Sequence, residues 1–191
     1  MPANMPVQED LTSEKSHSQL LQDAGMYVFM DDVNNESMKP IIEWILVENH
    51  VTKKKKKELL LMICSDGGSV ADAFALIDMM RLSKHPIRTI GLGTICSAAL
   101  LIFSSGTKGE RLISKNTELM MHQYSNEVSG KHHELMSHIK GGDLTNNRMI
   151  KLFQDTSNLD AKAIKSKLLA PTDAWLTAEE LKQYGIADKI F

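Results

Sequence analysis

Ser97 has the surroundings that best suit nucleophilic chemistry in this sequence. It follows the turn Gly93-Thr94-Ile95-Cys96 and begins a short apolar segment, 97–103, which predicts a helix. A serine at the start of a helix lies among amide N–H groups without intrahelical partners, at the positive end of the helix dipole. Both features stabilise an oxyanion, so the pattern favours acyl transfer with Ser97 as the nucleophile.

A second turn of small residues, Gly67-Gly68-Ser69, follows the continuous apolar run 59–64. Such runs are typical of buried parallel strands, and open α/β sheets bind ligands at the carboxyl ends of these strands. Glycine at this edge lets a substrate backbone approach closely. We therefore expect the backbone N–H groups of Gly68 and Ala98 to form an oxyanion hole.

A serine nucleophile needs a base within hydrogen-bonding reach and an acid that orients this base. Of the seven histidines, His122 directly follows an apolar strand candidate, 118–121, so it would lie at the same sheet edge as Ser97. The residues alone leave the orienting acid open. The equal candidates are Asp143, Asp155, Asp160 and Asp173.

Metal and nucleotide chemistry are not expected. The segment from His132 to His138 nearly matches the zinc pattern His-Glu-x-x-His, but His133 and His138 are one residue too far apart to share a helix face. The sequence contains no Gly-x4-Gly-Lys-[Ser/Thr] motif, so ATP binding through a P-loop is excluded. We expect no cofactor and no bound metal.

The composition is that of a globular protein without a strong charge bias. Apolar residues make up 42%, and 22 basic residues face 24 acidic ones. This balance gives no reason to expect a nucleic-acid or membrane partner. The N-terminal segment has no apolar signal-peptide core, and Cys64 and Cys96 lie in apolar runs where reduced thiols are expected. A cytoplasmic or organelle-interior location fits best.

The order of the predicted elements indicates an α/β fold with a mostly parallel sheet. Residues 1–18 are expected to form a flexible arm and residues 19–191 a single domain. The run of lysines from Lys53 to Lys57 is expected to be a solvated loop. We predict strands at 26–30, 59–64, 87–92, 111–113, 118–121 and 186–191, and helices around Pro40, at 70–82, 97–103, 132–155 and 159–168, and from Thr177 onward.

Four stretches resemble the family of the Clp protease proteolytic subunit (ClpP). In chain order they are SDGGSVADAFALIDMM, GLGTICSAALLIFSSGTKGER, SKNTELMMHQ and DAWLTAEELKQYGIADKI. They are similar to the family's oxyanion turn, nucleophile turn, Met-His-Gln strand end and catalytic-aspartate segment. The resemblance runs from about Gly25 to Ile190, which is nearly the whole chain.

This resemblance implies a ClpP/crotonase-like fold and a Ser-His-Asp triad. Ser97 would be the nucleophile, His122 the general base, and Asp173 the orienting acid. The reaction would be hydrolysis of peptide bonds of unfolded proteins inside a tetradecamer of two stacked seven-membered rings. The helix at about 131–155 would be the handle, a protruding helix between the rings.

The resemblance also implies partners. A separate AAA+ unfoldase of the ClpX, ClpA or ClpC type would use ATP and dock on apolar positions that include Leu60, Met62 and Leu82. A substrate strand would pair between the Gly67-Gly68 edge and the segment 125–130. The chain departs from the family pattern at three positions: Asp66 and Tyr124 stand where proline is usual, and Thr172 where arginine is usual.

Three alternative functions share the expected fold. One is a non-catalytic ring subunit, which the complete triad disfavours. Another is a viral capsid-maturation peptidase, which differs in substrate rather than chemistry. The third is an enoyl-CoA hydratase of the crotonase type, which uses glutamates in place of the pair Ser97 and His122.

Overall fold

A seven-stranded sheet organises the chain in the computed structural model, which describes residues 15–52 and 56–191. Strands β1, β2, β3, β4 and β7 are adjacent in that order and parallel; β5 pairs in parallel with the end of β3, and β6 pairs antiparallel with β5. The predicted mostly parallel α/β fold is confirmed. The strands are β1 Met26–Phe29, β2 Leu59–Ser65, β3 Ile87–Cys96, β4 Arg111–Ile113, β5 Glu118–Met121, β6 Ala174–Leu176 and β7 Lys189–Ile190.

Helices flank this sheet in the described part of the chain. Asn34 caps α2 and Thr177 caps α7, the latter through the predicted capping box with Glu180. Every residue of α4 is buried, which explains its uninterrupted apolar sequence. The helices are α1 His17–Asp23, α2 Asn35–His50, α3 Val70–Arg81, α4 Ala98–Ser104, α5 His132–Thr156, α6 Ala161–Lys167 and α7 Ala178–Gln183.

The predicted turn before Ser97 is wrong, because β3 continues through it to Cys96. Its first half pairs with β4, whereas its last three residues, Thr94–Cys96, pair with β5. Gly93, with a positive φ of 61°, lies between these two pairings. Strand β3 therefore changes its neighbour from β4 to β5 after Gly93, and Ser97 directly follows the end of this strand.

Two elements, α1 and β6, were not predicted from the sequence. Helix α1 includes His17 and Ser18, which were expected in the flexible arm; residues 1–14 of that arm lie outside the described residues. Strand β6 is only three residues long, and such a segment carries too little periodicity to be recognised.

The lysine run is not uniformly solvated. Lys56 donates to Glu48 at 2.6 Å, and the two side chains are only 12% and 4% exposed. The solvated-loop prediction is therefore wrong for Lys56, because a buried carboxylate on α2 requires a cation partner. Lys57 is exposed, and residues 53–55 lie outside the described part of the chain.

An ion pair joins β4 to the C-terminal segment. Arg111 is almost completely buried, and its guanidinium donates to both Asp188 carboxylate oxygens at 2.8 Å. Its remaining N–H groups donate to the carbonyls of Ser104, Thr156 and Gly185. This network fastens the last strand to the core.

Substituting Gly141 by alanine is expected to stabilise the fold. Gly141 lies inside α5, and a Cβ there would have no heavy atom within 4 Å. Alanine favours the helix over glycine by about 0.5–1 kcal/mol, and urea denaturation should measure that gain. A Cβ on Gly109 would likewise meet open space, but the φ of this residue is +91°, so Gly109→Ala is the matched control and should destabilise. Equal effects of both substitutions would contradict this account.

Candidate active site

Ser97 has an unusual backbone conformation for a residue with a side chain. Its φ of 52° is the only positive value at a non-glycine residue in the described chain. The Ser97 N–H donates to Met120 O at 2.9 Å, and its carbonyl accepts from Leu100 N–H at 3.0 Å. These bonds and the buried helix α4 hold a conformation that costs about 1–3 kcal/mol. The sharp strand-to-helix turn therefore presents the serine rather than burying it.

Gly67 lies directly against this serine. Its φ is +103°, and a Cβ built there would lie 2.8 Å from Ser97 Cβ and 3.0 Å from Ala98 N. Any larger residue would collide with the nucleophile turn. The glycine that the sequence placed beside the oxyanion hole is thus required by contact between the two turns.

Gly68 presents its N–H on the open side of its turn. Val33 pairs with this turn in parallel, donating to Gly67 O and accepting from Ser69 N–H, both at 2.7 Å. In such a bridge the intervening residue directs its own N–H to the opposite side. Within the described residues, neither Gly68 N–H nor Ala98 N–H donates to another protein group. Both predicted oxyanion donors are therefore available to a ligand.

The structure brings Ser97 and His122 to one cavity of about 240 Å³. The parallel register pairs Cys96 with Met120, so Ser97 and the residues after β5 emerge at the same edge. The other lining residues come from the turn before α3, the start of α3, α5 and the segment after His122. They are Gly68, Ser69, Val70, Ala71, Gln123, Tyr124, Ser125 and Met149.

The His122 ring is oriented by a backbone carbonyl. Its Nδ1 lies in hydrogen-bonding contact with Gln123 O. A carbonyl oxygen can only accept, so this contact requires the proton on Nδ1 and leaves Nε2 of the neutral ring unprotonated. That is the tautomer a general base beside a serine needs.

Asp173 accepts no hydrogen bond from His122 in the described chain. It is exposed, and no hydrogen bond or ion pair joins the two residues in the described chain. The antiparallel register pairs Met121 with Ala174, so Asp173 and His122 are the next opposite pair where β5 and β6 end. The register thus places Asp173 next to His122 at the ends of the two strands.

The other three aspartates occupy different places. Asp155 pairs with Lys151, and Asp160 caps α6 through Ala163 N–H. Asp143 lines a second cavity of about 510 Å³, which shares Gln123 with the cavity of Ser97. Of the four candidates, Asp173 is the one that the strand register sets opposite His122.

Asp66 is directed away from the oxyanion donors. Its carboxylate accepts a hydrogen bond from Thr94 Oγ1 at 2.9 Å, and it does not line the cavity of Ser97. Burial raises the pKa of the neighbouring Cys96 thiol, and the charge of Asp66 adds to that effect. The pKa of the thiol that directly precedes Ser97 is therefore held above its ordinary value.

Two side chains that the sequence did not single out hold the segment after His122. Gln123 Nε2 donates to Leu169 O at 2.9 Å, and Asn146 Oδ1 on α5 accepts from Tyr124 N–H at 2.9 Å. Amides on a polar helix face carry no recognisable signal in one sequence, because most are solvated.

The described residues contain no group of three or more potential metal ligands and no helix long and apolar enough to cross a membrane. His132, His133 and His138 are exposed on α5. The near-match to a zinc pattern has no structural counterpart in this part of the chain.

A strained serine at a strand-to-helix turn, the unpartnered amides of Gly68 and Ala98, and a histidine at the same edge of a parallel sheet define a peptidase-type site. The sequence model of the Clp protease family matches residues 8–191, and the chain belongs to the Clp protease family.

Named relatives agree with this assignment. The chain is 28% identical over 189 residues to the ATP-dependent Clp protease proteolytic subunit 2 of Treponema denticola, covering 95% of this chain and 92% of that protein. It is 29% identical over 193 residues to proteolytic subunit 1 of Bacillus cereus, covering 96% and 94%. It is 34% identical over 134 residues to the proteolytic subunit of Streptococcus suis, covering 69% and 67%. The protein is thus a peptidase subunit of the Clp type.

Replacing Gly67 by alanine should disable the site while the fold persists. The new Cβ would press on Ser97 Cβ and on Cys96 O, at 2.8 and 2.7 Å. A displacement of Ser97 by about 1 Å would lower the rate of peptide hydrolysis about a hundredfold. Peptide hydrolysis measures this loss, and circular dichroism checks the fold. Full activity in a folded Gly67→Ala variant would contradict the contact between the two turns.

Proposed function

We propose that this chain is a serine endopeptidase that hydrolyses peptide bonds of unfolded proteins, with Ser97 as nucleophile, His122 as base and Asp173 as the acid that orients the base in the assembled enzyme. The observation that carries the proposal is one cavity lined by strained Ser97, by His122 and by Gly68, whose N–H has no protein partner within the described residues. No cofactor or metal is required for this chemistry.

The reaction follows from these positions. Ser97 Oγ attacks the scissile carbonyl carbon while its proton moves to His122 Nε2. The carbonyl oxygen becomes an oxyanion that accepts hydrogen bonds from Gly68 N–H and Ala98 N–H. The C–N bond then breaks, and His122 returns the proton to the leaving amine. Water, deprotonated by the same histidine, hydrolyses the acyl-enzyme and regenerates Ser97.

Asp173 fits this scheme as a residue whose alignment depends on assembly. Its strand position is opposite His122, yet it is exposed and accepts no hydrogen bond from the ring in the described chain. We propose that ring formation confines the end of β6 and brings the carboxylate within reach of the His122 Nδ1–H, from which it would accept a hydrogen bond together with Gln123 O. Thr172, which stands where the family usually has arginine, directly precedes Asp173.

The proposed assembly is a tetradecamer of two heptameric rings with the handle, now α5, between them. Exposed apolar side chains on α5 support an interface: Met136, Ile139 and Leu144 are 52%, 56% and 58% exposed. Leu82, 72% exposed, supports a docking site for a separate AAA+ unfoldase that consumes the ATP. A cytoplasmic or organelle-interior location accompanies this proposal.

Two measurements on the purified full chain test the proposed function together. Native mass spectrometry is expected to give a fourteen-subunit species, and this species should hydrolyse a short fluorogenic peptide and an unfolded protein. A folded protein should resist cleavage when no unfoldase is present. A monomer at every concentration would refute the ring, and a ring without peptide hydrolysis would refute the catalytic role.

A further inference from the structure

One peptide unit links the catalytic histidine to the long helix α5. The carbonyl of Gln123 contacts His122 Nδ1, and the N–H of the same peptide unit, at Tyr124, donates to Asn146 Oδ1 at 2.9 Å. A trans peptide unit is planar, and its C=O and N–H point in opposite directions. Fixing the N–H therefore fixes the direction of the carbonyl that orients the ring.

The Tyr124 side chain strengthens this attachment. A Cβ built on Gly142 would lie 3.6 Å from Tyr124 Cδ1, so the tyrosine ring lies against the backbone of α5. Gly142 and Asn146 are four residues apart, hence on one face of the helix. Tyr124 thus meets α5 at two points one turn apart.

The Gln123 side chain attaches the same segment to a second part of the chain. Gln123 Nε2 donates to Leu169 O, so the segment is also tied to the chain that leads into β6. With both flanks held, the Gln123–Tyr124 peptide unit has little freedom to rotate. Hydrogen bonds in series also polarise one another, which strengthens the contact to His122.

We infer that Asn146 is a positioning residue for catalysis: by accepting from Tyr124 N–H it aligns the Gln123 carbonyl and thereby holds His122 in the tautomer that a base requires. This inference rests on the proposed function of the Ser97 site. It depends on the residue at position 124 having an N–H, which a proline there would lack.

The test compares Asn146→Leu, which removes the acceptor, with Asn146→Asp, which keeps an oxygen at the same place. The leucine variant is expected to lower kcat and the rate of Ser97 modification by a fluorophosphonate about tenfold, with KM changed less than twofold, as loss of one hydrogen bond predicts. The aspartate variant should retain most of the rate. Asn147→Leu is the matched control, because Asn147 is the exposed neighbour of Asn146 on α5 and its side chain makes no hydrogen bond to the segment after His122 within the described residues.

A double-mutant cycle separates positioning from a general effect on the fold. Tyr124→Pro removes the donor, so adding Asn146→Leu to it should change the rate no further. Additive losses, or an Asn146→Leu variant as fast as the wild type, would overturn the inference. A wild-type protein that does not react with the fluorophosphonate would instead count against the proposed function, whereas a reactive wild type with unaffected variants counts against Asn146 alone.

Discussion

Replacing Ser97 by alanine is expected to lower the rate of peptide hydrolysis by about 10⁴-fold or more. Loss of a triad nucleophile leaves the binding site and the oxyanion donors intact but removes the acyl-enzyme route. Alanine and serine tolerate a positive φ about equally, so the fold and the oligomeric mass should change little. The measurement is the initial rate on a fluorogenic peptide at matched protein concentration.

Ser105→Ala provides the control for this change. Ser105 lies at the opposite end of α4, where its hydroxyl donates to Leu101 O. The same substitution there should leave the rate within about twofold of the wild type. If Ser97→Ala keeps more than about 1% of the wild-type rate, the assignment of the nucleophile is wrong.

The second large effect concerns stability. Asp188→Asn should lower the free energy of unfolding by about 3–5 kcal/mol, because it leaves the Arg111 guanidinium buried without a counter-charge. Arg111 is 1% exposed, so water cannot replace the lost carboxylate. Urea denaturation followed by circular dichroism measures the loss.

Glu110→Gln is the matched control for this stability prediction. Glu110 pairs with Arg88 at 2.6 Å, but both side chains are about one-third exposed, so water screens the pair. The same carboxyl-to-amide change should therefore cost less than about 1 kcal/mol. Similar losses in the two variants would contradict the special role of the buried pair.

Acid should reduce the difference between wild type and Asp188→Asn. Burial alone would raise the pKa of Asp188, but hydrogen bonds and charge from Arg111, with a further bond from Gly109 N–H, outweigh it and lower the pKa. A group with a lowered pKa stabilises the fold fully above its ordinary value, 3.8, and this contribution is lost as pH falls through the folded value. The stability difference should shrink below about pH 4, and a constant difference would contradict the assignment.

The sequence predicted those parts of the candidate site in which the residue type and the pattern of the adjoining strand or helix point to the same edge of the sheet. Gly68 was predictable because a glycine turn after an apolar strand run points to the ligand-binding edge of a parallel sheet, and Ser97 because it begins the apolar helix that follows the next strand. The position of His122 followed from the end of a strand. The placement of Asp173 opposite His122 did not, because it depends on antiparallel pairing between β5 and a three-residue strand.

Other features lay beyond sequence reasoning because they depend on tertiary contacts. The burial of Arg111 depends on three carbonyls and one carboxylate that are distant in sequence. The bond from Tyr124 to Asn146 joins a loop to a helix, and neither residue type alone implies it. Lys56 could not be told apart from the other lysines of the run by sequence, because its partner Glu48 lies on α2.

Mapping the residue modified by a fluorophosphonate tests the central claim most directly. The intact mass of the treated wild-type protein should increase by one phosphonyl group per chain, and peptide mapping should place it on Ser97. Ser97→Ala should acquire no such adduct under the same conditions. An adduct on another residue, or a wild-type protein that hydrolyses peptides yet is never modified, would contradict the account.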